Sequence, residues 1–276
     1  MALKEDRIYI PEKYRLYDIA SKWRAFEPVF VGGGFNSFVN MINGDVPTEN
    51  DPDHTIPAED HTGSYVYSPD QGSRIGLIYP YNRYVSNNFT VFMVAEFDAS
   101  PQPAQALAHL GTVSGSPDNV QFEIRPKSST LQMQVYTSDV GGSSNTINTG
   151  LYYPADEAST ISFSAYGSTN VEACINGSEY SSTVANNIVA ASAGNLSFFQ
   201  QPGGGNTSSD AKLYLFALFR NRIPPIVLQE LHRNPTDLFE PTRWSLGFKA
   251  EGGAPAAFNY PIPLKQTSYR KDKRFV

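Results

Sequence analysis

Along the middle of the chain apolar and polar residues alternate in short runs, the period of two that sends successive side chains to opposite faces of a β-strand. Phe89–Phe97 puts Phe89, Val91, Met93, Ala95 and Phe97 on one face. Val120, Phe122 and Ile124 alternate with Gln121, Glu123 and Arg125, and after a turn over Pro126–Ser129, Leu131, Met133 and Val135 alternate with Gln132, Gln134 and Tyr136. The two runs predict a hairpin. A second hairpin is predicted where Ile161, Phe163 and Ala165 alternate with Ser162, Ser164 and Tyr166, turn at Gly167–Asn170, and return through Val171, Ala173 and Ile175 to a tight turn at Asn176-Gly177. Ser64–Tyr67, Arg74–Tyr79 and Leu196–Gln200 are shorter candidates. Ala211–Phe219 is apolar on both faces and should be central, with Leu213, Leu215, Ala217 and Phe219 pointing one way and Lys212, Tyr214, Phe216 and Leu218 the other. The Ser and Gln faces of the hairpins are left for solvent or a partner.

About ten strands with one minor helix require two packed sheets. The helix is predicted to open at Pro224 and Pro225, which cannot continue a ladder, to place Leu228 and Leu231 on one edge, and to end before Pro235. The phrase from Arg220 to Phe239, a strand end followed by Arg-Ile-Pro-Pro, a short helix and Leu-His-Arg-Asn-Pro-Thr-Asp-Leu-Phe, resembles the C-terminal end of concanavalin A-like (laminin G-like) jelly-roll domains found in many tailed-phage virion proteins. It departs from the usual phrase at Thr236, where Trp is common, and at Val227, where Glu is common. The resemblance spans about Tyr65 to Trp244 and includes the unit from Val171 to Gly177. It implies an all-β fold, a concanavalin A-like jelly-roll β-sandwich of two antiparallel sheets with one short C-terminal helix and extended N- and C-terminal arms.

Residues 1–60 lack a sustained period and are expected to form an N-terminal arm and an acidic loop, with 61–244 as the sandwich and 245–276 as an extended arm ending in a basic tail. Tyr14, Tyr17, Trp23 and Phe26 in the first arm, and Arg270, Lys271, Lys273 and Arg274 in the last, are candidate assembly contacts. Gly32-Gly33-Gly34 is expected to be a flexible bend between arm and body, since no Gly-Lys-Ser/Thr follows it to make a phosphate loop. The formal charge of −6 argues against a nucleic-acid partner. The last dozen residues carry +4, which leaves −10 for the rest. One cysteine, Cys174, permits neither a disulfide framework nor a cysteine zinc site. No apolar leader and no run approaching a membrane span is visible, as in a virion protein made in the host cytoplasm without a signal peptide.

Three chemistries are suggested. Laminarinase-type hydrolases of this fold carry Glu-x-Asp-x-x-Glu on one strand. Glu96-Phe97-Asp98 begins that pattern, but Ser100 and Pro101 follow where the second catalytic carboxylate should stand, so no enzyme activity is expected. Asp45, Asp51 and Asp53, with Glu49, Glu59 and Asp60, offer oxygen ligands suited to Ca2+, although Pro52 and Pro57 fit an ordinary solvated connector, and no other cofactor is expected. Tyr79, Tyr81, Asn82, Tyr84, Asn87 and Asn88 crowd one region in which rings could face sugar C–H groups and amides meet hydroxyls; tyrosine-rich loops also serve protein contacts. The expected function is that of a non-enzymatic structural protein of a phage-like virion, in head decoration or tail or fibre attachment, contacting other virion proteins and copies of itself. The alternatives are a glycan-binding module for host-surface recognition and, third, a glycoside hydrolase. No membrane partner is expected.

Overall fold

Backbone polar groups in an all-β chain are satisfied only between strands, so the architecture follows from which strand pairs with which. The computed structural model describes residues 17–36, 38–49, 56–67, 77–81, 87–99, 106–111, 120–127, 130–138, 143–188, 194–199 and 211–241. All lie within one compact unit, Met1–Thr242. In chain order they form β1 (Tyr17–Ile19), α1 (Ser21–Arg24), β2 (Pro28–Gly33), β3 (Thr48–Glu49), β4 (Ile56–Asp60), β5 (Gly63–Tyr67), β6 (Leu77–Tyr81), β7 (Phe89–Phe97), β8 (Ala108–Gly111), β9 (Val120–Pro126) and β10 (Gln132–Ser138). There follow β11 (Ser144–Tyr152), β12 (Ser159–Tyr166), β13 (Asn170–Ile175), β14 (Ser178–Thr183), β15 (Gly194–Phe198), β16 (Ala211–Phe219), α2 (Pro225–Arg233) and β17 (Phe239–Pro241). One sheet of seven strands runs β11-β10-β9-β8-β15-β6-β3, a second of eight includes β14-β13-β12-β7-β16-β5-β4, and β2 pairs with the far half of β16. The ladders of both sheets are antiparallel. The chain is an all-β sandwich with one short helix of real length, α2.

Both predicted hairpins form, and Asn176 and Gly177 close the β13–β14 turn with φ of 48° and 84°. The strict alternation read for β16 does not hold. Leu213 pairs with Ala95 but Leu215 with Val94, so Tyr214 is an extra residue in a bulge that reverses the parity beyond it. Leu213 therefore shares the sandwich core with Phe216 and Leu218, while Tyr214, Leu215, Ala217 and Phe219 turn to the outer face.

That outer face carries a second apolar layer. Trp23, Val31, Phe92, Val94, Leu215, Phe219, Ile223, Leu228, Leu231 and Leu238 are buried there, under α1, α2 and the short β1–β17 ladder. Of the aromatic N-terminal residues read as candidate assembly contacts, Trp23 and Phe26 pack here. Trp23 has no exposed surface and its indole N–H donates to the Asp237 carbonyl at 2.7 Å, while Phe26 is partly buried against the same cluster. The expected boundary at 60/61 runs through a hairpin in which Asp60 pairs with Gly63. The glycine run is likewise no flexible bend. A Cβ on Gly33 would lie 2.5 Å from the Tyr214 carbonyl oxygen and one on Gly34 2.4 Å from the Ser64 carbonyl, so glycine there permits backbone-to-backbone contact.

Candidate functional site

A sandwich's outer faces meet water, and charged or amide side chains there should be exposed. The outer face of the seven-stranded sheet departs from this. Ser197, His109, Glu123, Tyr136 and Thr146 stand in one cross-strand row on β15, β8, β9, β10 and β11, because each alternates with core residues such as Leu110, Phe122 and Val135. Arg125, Gln134 and Asn148 form the next row, and Gln132 faces Tyr152 beyond it. The face is closed at His109, which has no exposed surface, and open at β11, where Tyr152 is 63% exposed.

A continuous hydrogen-bond chain crosses it. Arg125 donates from Nη1 to Glu123 Oε1 at 3.0 Å and from Nε to Gln134 Oε1 at 2.9 Å. Gln134 Nε2 in turn donates to Asn148 Oδ1 at 2.9 Å, and the guanidinium carbon lies 4.8 Å from the centre of the Tyr136 ring. This fixes Arg125 as a flat plate over an aromatic ring and leaves Asn148 and Tyr152 at the open end. Burial raises the Glu123 pKa, with Arg125 acting in the opposite direction. His109 is the anomaly. Neither ring nitrogen has a hydrogen-bond partner, and burial alone pushes its pKa down to about 3. Each unmet bond of this kind costs about 1–3 kcal/mol, a debt that folds seldom carry without cause.

Two other polar places lie on the eight-stranded sheet. Lys212 Nζ sits 2.9 Å from Asp60 Oδ2 and 2.8 Å from Glu96 Oε1, and the Tyr214 hydroxyl donates to both carboxylates at 2.9 Å. Burial works to raise the Asp60 pKa, but the bonds from Lys212, the Thr62 N–H and Tyr214 outweigh it and hold the group below its ordinary value. Glycoside hydrolysis needs one carboxyl held protonated, and the contacts of Asp60 favour its charged form. The second place is a hollow of about 350 Å³ between α2 and β12–β14, lined by Ser162, Ser164, Cys174, Glu179, Gln229 and His232 among others. His232 bonds Ser162 Oγ through Nε2 and Thr160 Oγ1 through Nδ1, both at 2.9 Å, and burial pushes its pKa down to about 4. The pair has the spacing of a nucleophile and base, yet β12 is laddered on both sides by β7 and β13, so its N–H groups are committed to strands and not to an oxyanion. It pins α2 to the sheet.

The residues singled out from the sequence are dispersed. Tyr79 is buried in the sandwich core, its hydroxyl donating to the Phe38 carbonyl, so it is no sugar platform. Asn87 Nδ2 donates to Ser168 Oγ at 2.6 Å, and Asn88 Oδ1 accepts the Gly167 N–H at 2.8 Å, both as loop ties. For Tyr81 the structure gives the strand position alone, and Asn82 and Tyr84 lie outside the described residues. Asp45 is exposed in a turn where it accepts a bond from Asn43; Asp51 and Asp53 lie outside the described residues, as do Tyr14, Arg270, Lys271, Lys273 and Arg274. Tyr17 takes part in β1. Among the described residues no three His, Cys, Asp or Glu side chains come together to hold a metal, and no helix is long and apolar enough to cross a membrane. The Gln and Tyr positions of the β9–β10 hairpin were visible as its polar side; His109, a single polar residue between Ala108 and Leu110, carried no signal.

No protein-family model matches the chain, and no curated protein matches it. Solved structures do resemble it in fold. The binding domain of Paraclostridial Mosquitocidal Protein 1 superposes with a TM-score of 0.56 at 12% identity, over 74% of this chain and 51% of that one. The receptor binding domain of botulinum neurotoxin type G gives 0.56 at 12% identity, over 75% and 51%. Domain 4 of AbnA, a GH43 extracellular arabinanase from Geobacillus stearothermophilus, solved in complex with arabinotriose, gives 0.50 at 15% identity, over 73% and 86%. The chain thus spans about half the length of the first two. Identities this low speak to the fold.

Proposed function

We propose that this protein is a glycan-binding β-sandwich module and that the outer face of β9, β10 and β11, open along β11, is its binding surface. The observation that carries the reading is the preset chain from Glu123 through Arg125 and Gln134 to Asn148, flanked by Tyr136 and the exposed ring of Tyr152. Amides and a fixed guanidinium meet sugar hydroxyls, and an exposed ring offers a flat surface to sugar C–H groups. The fold shared with a domain solved with arabinotriose supports the same reading. Binding without turnover fits the face best, because Glu123 is the one carboxylate among its described side chains and glycoside hydrolysis needs two. A structural role in a virion, with other virion proteins and copies of itself as partners, is proposed on the resemblance of the Arg220–Phe239 phrase alone. In that setting the face would meet host-surface glycans.

A glycan array followed by calorimetric titration tests the proposal. Binding should fall about tenfold with Tyr152→Ala and with Gln134→Ala, the loss expected for one ring contact or one buried polar contact. An array without hits, or hits indifferent to both substitutions, refutes it.

A further inference from the structure

We propose that the hollow between α2 and β12–β14 is a ligand site of its own, and that it takes a small hydroxylated ammonium compound, an amino sugar or an amino alcohol. It lies on the other sheet from the β9–β11 face and stands whether or not that face binds glycan.

The hollow follows from the way α2 is held. Three side-chain ties join it and the residues before it to the sheet. Arg222 donates to both carboxylate oxygens of Glu172 at 2.9 and 2.6 Å, His232 bonds Ser162 at 2.9 Å, and Gln229 Nε2 donates to Glu179 Oε1 at 3.0 Å. Between these ties the sheet presents two cross-strand rows, Ser164–Glu172–Ser181 and Ser162–Cys174–Glu179. Apart from the two glutamates these are serines and a cysteine, too short to fill the space beside the helix, and about 350 Å³ is left. That volume is at the lower end of small-molecule sites, which run from about 300 to 1,000 Å³. Glu179 and Ser181 are exposed, so the space is reached from solvent.

Charge and hydrogen-bonding capacity set the class of ligand. Of the two carboxylates in the lining, Glu172 is neutralised by Arg222, whereas Glu179 has an amide for a partner and no cation among the described residues. No Lys or Arg is among the described residues that line the hollow, and Glu230, the other acid of α2, pairs with Lys22 at 2.8 Å. An anion would therefore meet Glu179 without a counter-charge. The first turn of α2 offers it little, since Pro225 has no N–H and the N–H groups of Val227 and Leu228 are bonded to the Pro224 carbonyl. An ammonium, in contrast, gains a charge-assisted bond to Glu179. On the buried floor Ser162 and Ser164 each spend one contact, on His232 and on Thr90, and keep part of a hydroxyl's capacity to donate once and accept twice. Ligand hydroxyls can use that remainder. Leu228 and Pro225 give the carbon skeleton an apolar wall.

NMR titration of the full chain at pH 6 with glucosamine and ethanolamine, against glucose and N-acetylglucosamine, tests the proposal. At millimolar concentration at least glucosamine should shift the Gln229 side-chain amide and the backbone amides of Cys174 and Ser181, and added salt should weaken the effect. The two uncharged sugars should bind there at least about tenfold more weakly, the difference expected of one hydrogen bond to a charged group. Glu179→Gln should lower the amine affinity about tenfold and leave Tm unchanged, because the carboxylate is exposed. Ser181→Phe, a substitution at an exposed position of the edge strand β14, should fill the entrance and abolish binding. Equal shifts from the uncharged sugars, amine binding untouched by either substitution, or no shift at the hollow with either amine overturns the proposal. None of these outcomes bears on the β9–β11 face, whose binding is read from the Tyr152 and Gln134 variants.

Discussion

Two histidines are held neutral in this fold, and acid should expose the cost. Burial pushes His109 down to about 3 and His232 down to about 4, from an ordinary value of 6.5. In the unfolded chain both titrate near that ordinary value. Between the folded and unfolded values the unfolded state holds more protons, so stability must fall as pH falls, beginning near neutrality and continuing through the folded pKa. At pH 5 an unfolded imidazole is about 97% protonated while the buried ones remain largely neutral, a difference of about 2 kcal/mol for each, or about 4 kcal/mol together relative to pH 7. Glu123, the titratable group that faces His109, works the other way: its raised value lets the folded state take up a proton earlier and returns part of the loss. Urea unfolding followed by tryptophan fluorescence at pH 7, 6 and 5 measures the slope. His109→Leu should remove its share, so that the variant loses about 2 kcal/mol over the same interval. If the variant loses as much as the unaltered protein, His109 is protonated in the fold or is not enclosed, and the reasoning fails.

Further outcomes follow from contacts elsewhere. Trp23→Ala should cost about 3–5 kcal/mol in urea unfolding, because a fully buried ring and its bond to Asp237 are lost; a segment that served neighbours alone would show no change. Gly34→Ala should lower Tm sharply or abolish soluble yield, since the new methyl would press into the Ser64 and Tyr65 backbone, where no side chain can swing aside. Lys212→Met should destabilise by about 2 kcal/mol in equilibrium unfolding by leaving Asp60 and Glu96 without their shared cation; an unchanged midpoint would show the cluster to be electrostatically idle. Cys174, whose thiol burial pushes up to about 11, should react with iodoacetamide at neutral pH at under about a tenth of the rate of a free thiol until the chain is unfolded, as read by intact mass.

What could be read from residue order was whatever depends on near neighbours. The hairpins of β9–β10 and β12–β13 announced themselves through alternation, and α2 through Pro225 and its two leucines. The bulge at Tyr214 was hidden because a run apolar on both faces keeps its composition when its parity slips. The N-terminal segment looked unstructured because β1 gains its partner 220 to 224 residues later, and three residues alone have no period. The Tyr79 region looked like a ligand surface because aromatic and amide residues serve cores and loop ties as readily as sugars. The polar side of the β9–β10 hairpin was legible as available surface. Its enclosure at His109 was not, since a buried histidine on β8 leaves no local pattern in the sequence.

The split edge of β16 also bears on how the molecule is made. This strand lines the interior of the sandwich with one set of residues and the outer apolar layer with the other, and its partners β2, β5 and β7 all precede it by more than 100 residues. During synthesis, then, both greasy surfaces must wait until the segment from Ala211 to Phe219 leaves the ribosome. Assembly of this kind is governed by distant sequence contacts and should be slow, and a nascent chain stalled short of that segment is the form most exposed to aggregation or to chaperone capture.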